Sequence, residues 1–178
     1  VSIVPLSSIT ASAAVTSGSY GENLIWTFDE LTGTLTVSGT GDMYDYDSFG
    51  FPWEEWKNNV KKVVVNDGVK SIGDRAFFDC DSLTSITIPD SVTRIGGSAF
   101  RDCDSLTNIT IPDSVTTIGG YAFEHCDSLT SIIIPDSVTT IGDSAFSCCN
   151  SLTSIIVDGN NQYYSSDEDG VLLSKDKT

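Results

Sequence analysis

The chain has 178 residues, 39% of them hydrophobic, with 25 Asp and Glu against 9 Lys and Arg and a formal net charge of -16. The apolar content suffices for a folded core, and the length allows one or two domains. So large a deficit of base excludes nucleic acid and anionic membrane surfaces as partners, because phosphate recognition draws on clustered Lys and Arg.

The first residues, VSIVPLSSITASAA, pass from an apolar stretch into small residues and contain Ala11-Ser12-Ala13, the pattern of a signal-peptidase site. An apolar run of about eight residues is too short to span a bilayer. Residues 1–17 are therefore expected to be a residual export signal or a disordered N-terminus, and the protein to be secreted or at the cell surface without membrane insertion.

Residues 18–59 form the next expected unit. Leu24, Trp26 and Phe28, then Leu35 and Val37, alternate with polar residues, which predicts a β-hairpin turning near Thr32-Gly33. Pro52 to Asn58 opens with a proline suited to a helix start and predicts one or two helical turns. Trp53 and Trp56, three apart, share a face there. The end of a stacked array exposes apolar surface, so this segment is expected to cap the residues from Val60 onward.

From Val60 the chain repeats itself. The units Val60 to Ser82, Leu83 to Ser105, Leu106 to Ser128 and Leu129 to Ser151 follow a period of 23 residues, with a partial fifth from Leu152. A period in this range marks a solenoid, in which no unit can bury its own apolar face. Leu83, Ile86 and Ile88 recur as Leu106, Ile109, Ile111, as Leu129, Ile132, Ile134, and as Leu152, Ile155, Val157. Their alternation with small polar residues predicts a short half-buried strand in each unit, paired in parallel with the next. Pro89, Pro112 and Pro135 stop these strands, since proline has no backbone donor for a ladder. A second apolar pair follows, Val92 and Ile95 in one unit, and then Gly96, Gly119 and Gly142, where a close approach would obstruct a side chain.

Ala99-Phe100, Ala122-Phe123 and Ala145-Phe146, each with Cys three residues after Phe, suit one inward-facing helical turn that closes the coil. Phe77, Phe100, Phe123 and Phe146 would then stack about 5 Å apart, the interstrand spacing. Cys80, Cys103, Cys126 and Cys149 occupy one position four times. Neighbouring coils come near enough for disulfides, but four thiols pointing the same way favour buried free thiols acting as small hydrophobes. Cys148 is expected at the surface. Val171-Leu172-Leu173 reads as a strand start, so residues 158–178 are a C-terminal insertion or the truncated start of a further repeat.

At these residues the chain resembles the BspA-type leucine-rich repeat, LxxIxIPxSVTxIGxxAFxxCxx, across residues 60–157. The PWEEW segment and the tail YSSDEDGVLLSKDK also resemble the flanks of that family. The resemblance implies a leucine-rich-repeat-like solenoid with short parallel strands, few or short helices and an N-terminal β-hairpin cap. It further implies a bacterial surface or secreted protein that adheres to host or neighbouring-cell proteins.

Catalytic chemistry finds little support. His125 is the only histidine, which removes most metal sites and the Ser-His-Asp and Cys-His arrangements. His125 with Cys148 on the next coil makes two ligands, too few for a metal. Glu22, Glu54, Glu55 and Glu124 could serve a glycosidase by residue type, but none lies in a motif. Asp158-Gly159-Asn160-Asn161 and Asp167-Glu168-Asp169-Gly170 are rich in oxygen yet lack the spacing of a calcium loop and read as polar turns. No enzyme activity, cofactor or metal is expected.

Binding surfaces remain. The outward strand residues, among them Thr84, Thr87, Asn108 and Thr110, form a face of hydroxyls and amides without an aromatic or Arg anchor. The repeats vary instead at Arg94, at Tyr121, and at Arg101 and Glu124, around the closing turn. Such variation fits a solvent-facing turn that tolerates any residue, or a mixed-charge patch for weak protein contact. The expected function is protein binding by a monomer, through Arg94, Arg101, Tyr121, Glu124 and the Thr and Asn face. The alternative is a carbohydrate-binding or spacer module of a larger surface protein, and burial of Trp26, Trp53 and Trp56 would count against sugar binding.

Overall fold

A computed structural model describes residues 14–20, 23–47 and 50–175. The export-signal reading falls on residues 1–13 and so lies outside the described residues, as does Glu22.

Strands β1 (Val15–Tyr20), β2 (Leu24–Asp29) and β3 (Thr34–Gly39) form an antiparallel meander. Trp26 pairs with Val37 and Phe28 with Leu35, so the alternating apolar residues share the buried face. The β2–β3 turn closes with Gly33 N–H donating to the Asp29 carbonyl at 2.8 Å. Gly33 has φ +66, and a Cβ there would stand 2.7 Å from the Asn59 carbonyl oxygen. Residues 15–17, expected with a disordered N-terminus, are strand instead. The bare Gly18 lets the Trp26 indole lie across β1.

The chain then forms β4 (Gly41–Asp42) and a 3-10 helix, Glu54–Asn59. From there each coil contributes to parallel ladders. β5 (Lys62–Val65) pairs with β3, and β6 (Val69–Ile72) with β4. β7 (Ser85–Thr87) pairs with β5, and β8 (Arg94–Ile95) with β6. β9 (Thr117–Ile118) continues the second ladder, and β10 (Ser131–Ile134) restarts the first. β11 (Thr140–Ile141) pairs with β9, and β12 (Ser154–Val157) with β10. β13 (Tyr164–Ser166) and β14 (Leu172–Ser174) make an antiparallel hairpin in the tail.

Three features differ from the sequence expectations. A second strand runs through the end of each unit's second apolar pair, at Val69–Ile72, Arg94–Ile95, Thr117–Ile118 and Thr140–Ile141, giving the continuous sheet β4-β6-β8-β9-β11. The strand expected at residues 106–111 is absent, so the first sheet splits into β1-β2-β3-β5-β7 and β10-β12. The closing turn is not helical. Arg75, Asp79, Ser98, Asp102, Tyr121, His125, Ser144 and Cys148 take φ between 53 and 59, the left-handed region that breaks an α-helix. Their turns donate to the next coil instead: Phe77 N–H to the Ala99 carbonyl at 2.9 Å, and Phe100 N–H to the Ala122 carbonyl at 2.8 Å.

The Phe column forms as expected, with ring centroids 5.4, 5.3 and 5.5 Å apart from Phe77 to Phe146. Trp53 continues it, stacked 5.6 Å from Phe77, with its indole N–H donating to the Ala76 carbonyl at 2.8 Å. Fully burying each such ring contributes roughly 1.5–3 kcal/mol. The glycine of each coil supports this stacking, because a Cβ on Gly119 would stand 2.6 Å from the Gly96 carbonyl carbon.

Candidate functional site

Arg101 and Glu124 occupy the same register one coil apart, and the stack brings Arg101 Nε to 3.0 Å from Glu124 Oε2. Asp102 Oδ2 lies 3.4 Å from the same nitrogen. The guanidinium sits 5.9 Å from the centroid of the Tyr121 ring, within cation–π reach. Tyr121 holds a left-handed backbone and is 43% exposed, so its ring stands out from the coil. Three of the four variable residues thus form one cluster.

Arg94 goes elsewhere. Its guanidinium bonds Asp45 Oδ1 at 2.9 Å and also pairs with Asp74. Asp74 N–H donates to Asp45 Oδ1 at 2.8 Å, and Gly97 N–H to Asp74 Oδ1 at 2.8 Å. Partial burial works against the Asp45 charge, yet the Asp74 N–H and Arg94 hold its carboxyl below the ordinary range. Arg94 therefore ties the segment after β4 to the second coil. A shallow groove, bordered by Tyr46, Asp74, Arg75 and Ser98, connects this ion pair to Tyr121.

On the strand face, Thr84, Thr87, Asn108 and Thr110 are all exposed. Sequence reasoning undervalued their neighbours. Ile133 and Ile156 face each other across β10 and β12 and are 60% and 49% exposed. The signal was an isoleucine at the outward position where earlier coils carry Thr87 and Thr110.

The other candidates take structural roles. Glu54 and Glu55 open the 3-10 helix. Asp158 and Asp167 spend their carboxylates on N–H groups of their own turns, Asn160 for the first and Asp169 and Val171 for the second. His125 and Cys148 share a left-handed register position, with His125 N–H donating to the Ser147 carbonyl at 3.0 Å. Among the described residues, no three His, Cys, Asp or Glu side chains converge to hold a metal ion.

All five cysteines carry free thiols. Cys103, Cys126 and Cys149 each donate S–H to the carbonyl of Phe77, Phe100 and Phe123, at 3.2, 3.1 and 3.0 Å. Burial pushes the Cys80, Cys103 and Cys126 thiols far up, so they stay protonated and unreactive. Beside them a column of carboxylates runs along the coils. Burial, and then Asp79 and Asp104, raise Asp81; burial, and then Asp127 and Asp102, raise Asp104.

Trp26 and Trp53 are buried and Trp56 is half-buried against Trp26 and Phe28, which leaves no exposed indole. No helix among the described residues is long and apolar enough to cross a membrane.

No curated protein matches the chain. A leucine-rich repeat protein from Eubacterium ventriosum is 31% identical, with TM-score 0.73 over 93% of this chain and 50% of its own. One from Bacteroides ovatus is 30% identical, with TM-score 0.56 over 75% of this chain and 39% of its own. The leucine-rich repeat protein of T. pallidum is 27% identical, with TM-score 0.56 over 73% of this chain and 66% of its own. The chain thus spans half the length of the Eubacterium protein. The family model for the BspA type leucine-rich repeat region matches residues 55–167 in six copies, and the chain belongs to that family.

Proposed function

We propose that this chain is a secreted or cell-surface, non-catalytic binding module that engages a protein by extended contact and acts as a monomer. Its 23-residue units would span residues 60–157, capped by the hairpin segment of residues 18–59 and followed by residues 158–178 as an insertion. One observation carries the reading: Arg101, Tyr121 and Glu124, three residues that stacking leaves free to vary, meet in one partly exposed cluster. Arg and Tyr are the residue types that dominate binding hot spots, and an Arg already held over a ring loses little freedom on binding. The exposed Ile133–Ile156 pair on the strand face offers apolar area of the kind such contacts cover. Burial of the indoles withdraws the tryptophans as platforms for a sugar ring and weighs for a protein partner.

The test is capture from extracellular matrix and mucus proteins on the immobilised chain, followed by affinity measurement with Arg101→Ala/Tyr121→Ala. The double variant is expected to weaken binding at least about tenfold, about 1.4 kcal/mol or more. Unchanged affinity would move the site off this cluster. No enrichment of any protein would favour a spacer role.

A further inference from the structure

Among the four full coils, three close along all three sides and the third does not. The third coil keeps its place in the second sheet, where Gly119 N–H donates to the Ile95 carbonyl and Gly142 N–H to the Ile118 carbonyl, both at 2.8 Å. Its turn ladder is also intact, with Phe100 N–H on the Ala122 carbonyl and Phe123 N–H on the Ala145 carbonyl, again at 2.8 Å. Along the first sheet, however, no backbone hydrogen bond among the described residues joins residues 107–111 to either neighbouring coil.

The side chains suggest the cause. Thr84 gives both its N–H and its hydroxyl to the Lys61 carbonyl, each at 2.9 Å, and Thr153 gives both to the Thr130 carbonyl at 3.0 and 3.2 Å. Thr107 stands in the same register and makes neither bond. Its hydroxyl instead accepts from the Asn108 side-chain amide at 3.3 Å. Asn108 occupies the position of Ser85, Ser131 and Ser154, and asparagine is both a poor strand former and a competitor for local hydrogen bonds. The gap reaches the core: Ile86 and Ile88 are only partly buried, and Ile109 and Ile111 keep 7% and 6% exposure in the middle of the solenoid.

We propose that residues 107–111 are a hinge in the strand face, at which the solenoid stays closed along its second sheet and turn ladder and opens along the first sheet alone. Thr84 and Thr87 then ride on one plate and Ile133 and Ile156 on the other, so the angle of the face is adjustable. A partner seated across both plates selects one angle. That consequence rests on the protein-binding reading, whereas the opening itself belongs to the free chain and is measured without any partner.

Hydrogen exchange on the full chain tests it. Amides of residues 107–111 are expected to exchange at least about a hundredfold faster than those of residues 85–87 and 131–134, because they lack the ladder that protects the others. Asn108→Ser, which installs the residue of the other coils, is expected to bring them within about tenfold of the flanking strands. Circular dichroism and thermal melting confirm that this variant keeps the fold. Equal protection of all three stretches in the unmodified chain would overturn the hinge, and fast exchange persisting in Asn108→Ser would overturn the part assigned to Asn108.

Discussion

Asn161 stands in the register that Val92, Val115 and Val138 fill in the preceding coils, and it is as fully buried as they are. Its amide nitrogen donates to the Pro135 and Val138 carbonyls at 2.8 and 2.9 Å, while its oxygen accepts the Tyr163 and Tyr164 N–H groups, both at 2.8 Å. One side chain thus satisfies four backbone groups at the point where the chain leaves the repeat for the β13–β14 hairpin. Asn161→Val restores the repeat residue and an apolar surface but strands those groups, each costing about 1–3 kcal/mol when buried without a partner. Relaxation will recover part of this, so the expected loss is roughly 2–4 kcal/mol, with the hairpin amides losing exchange protection first. Urea unfolding at an unchanged slope measures the loss. Stability equal to the parent chain would show that the amide is dispensable.

At the scale of the element, the ring column from Trp53 to Phe146 is a long-range object built from a single aromatic residue per coil. Removing a central ring leaves a cavity between two others, and Phe100→Ala is expected to cost about 3–5 kcal/mol. Phe146, only partly buried at the end of the column, has a ring on one side and should cost clearly less when cut to Ala. Equal losses at the two sites, read from denaturant midpoints, would contradict a stack governed by nearest neighbours. This column was legible in the sequence because its spacing needs only the repeat period. The second sheet was not, since Arg94–Ile95, Thr117–Ile118 and Thr140–Ile141 are each two residues long and too short to show alternation. The closing turn misled for a related reason. Ala, Phe and Cys at spacings of one and three mimic a helix face, and a left-handed backbone at Arg75 or Asp79 leaves no mark in residues other than glycine. The candidate site was half legible: variation within the repeat pointed to Arg101, Tyr121 and Glu124, but only the fold reveals that Arg94 is taken by Asp45, two elements away.

For the whole molecule, charge sets how stability should depend on pH and salt. The net charge is -16, and the repeat stacks carboxylates of successive coils above one another. Asp81 and Asp104 bind their protons more tightly in the folded chain than in the unfolded one, because burial and neighbouring carboxylates penalise their charge. Their contribution therefore opposes folding at neutral pH, and the opposition fades as pH falls through their raised native values toward the ordinary carboxylate range. Asp45 has the opposite sign: its lowered native value stabilises the fold above the ordinary range and is lost only below it, as pH falls through that lowered value. Stability is thus expected to rise from neutral to mildly acidic pH and to drop again below about pH 4. Raising salt to about 0.5 M should lift stability at neutral pH by screening the column and should flatten the rise. Asp104→Asn removes one member of the column and should stabilise the neutral protein by up to about 0.5 kcal/mol, with little effect below pH 4. Urea midpoints across this range measure all three. A maximum at neutral pH that salt does not move would mean that the stacked carboxylates carry no repulsion the fold must overcome.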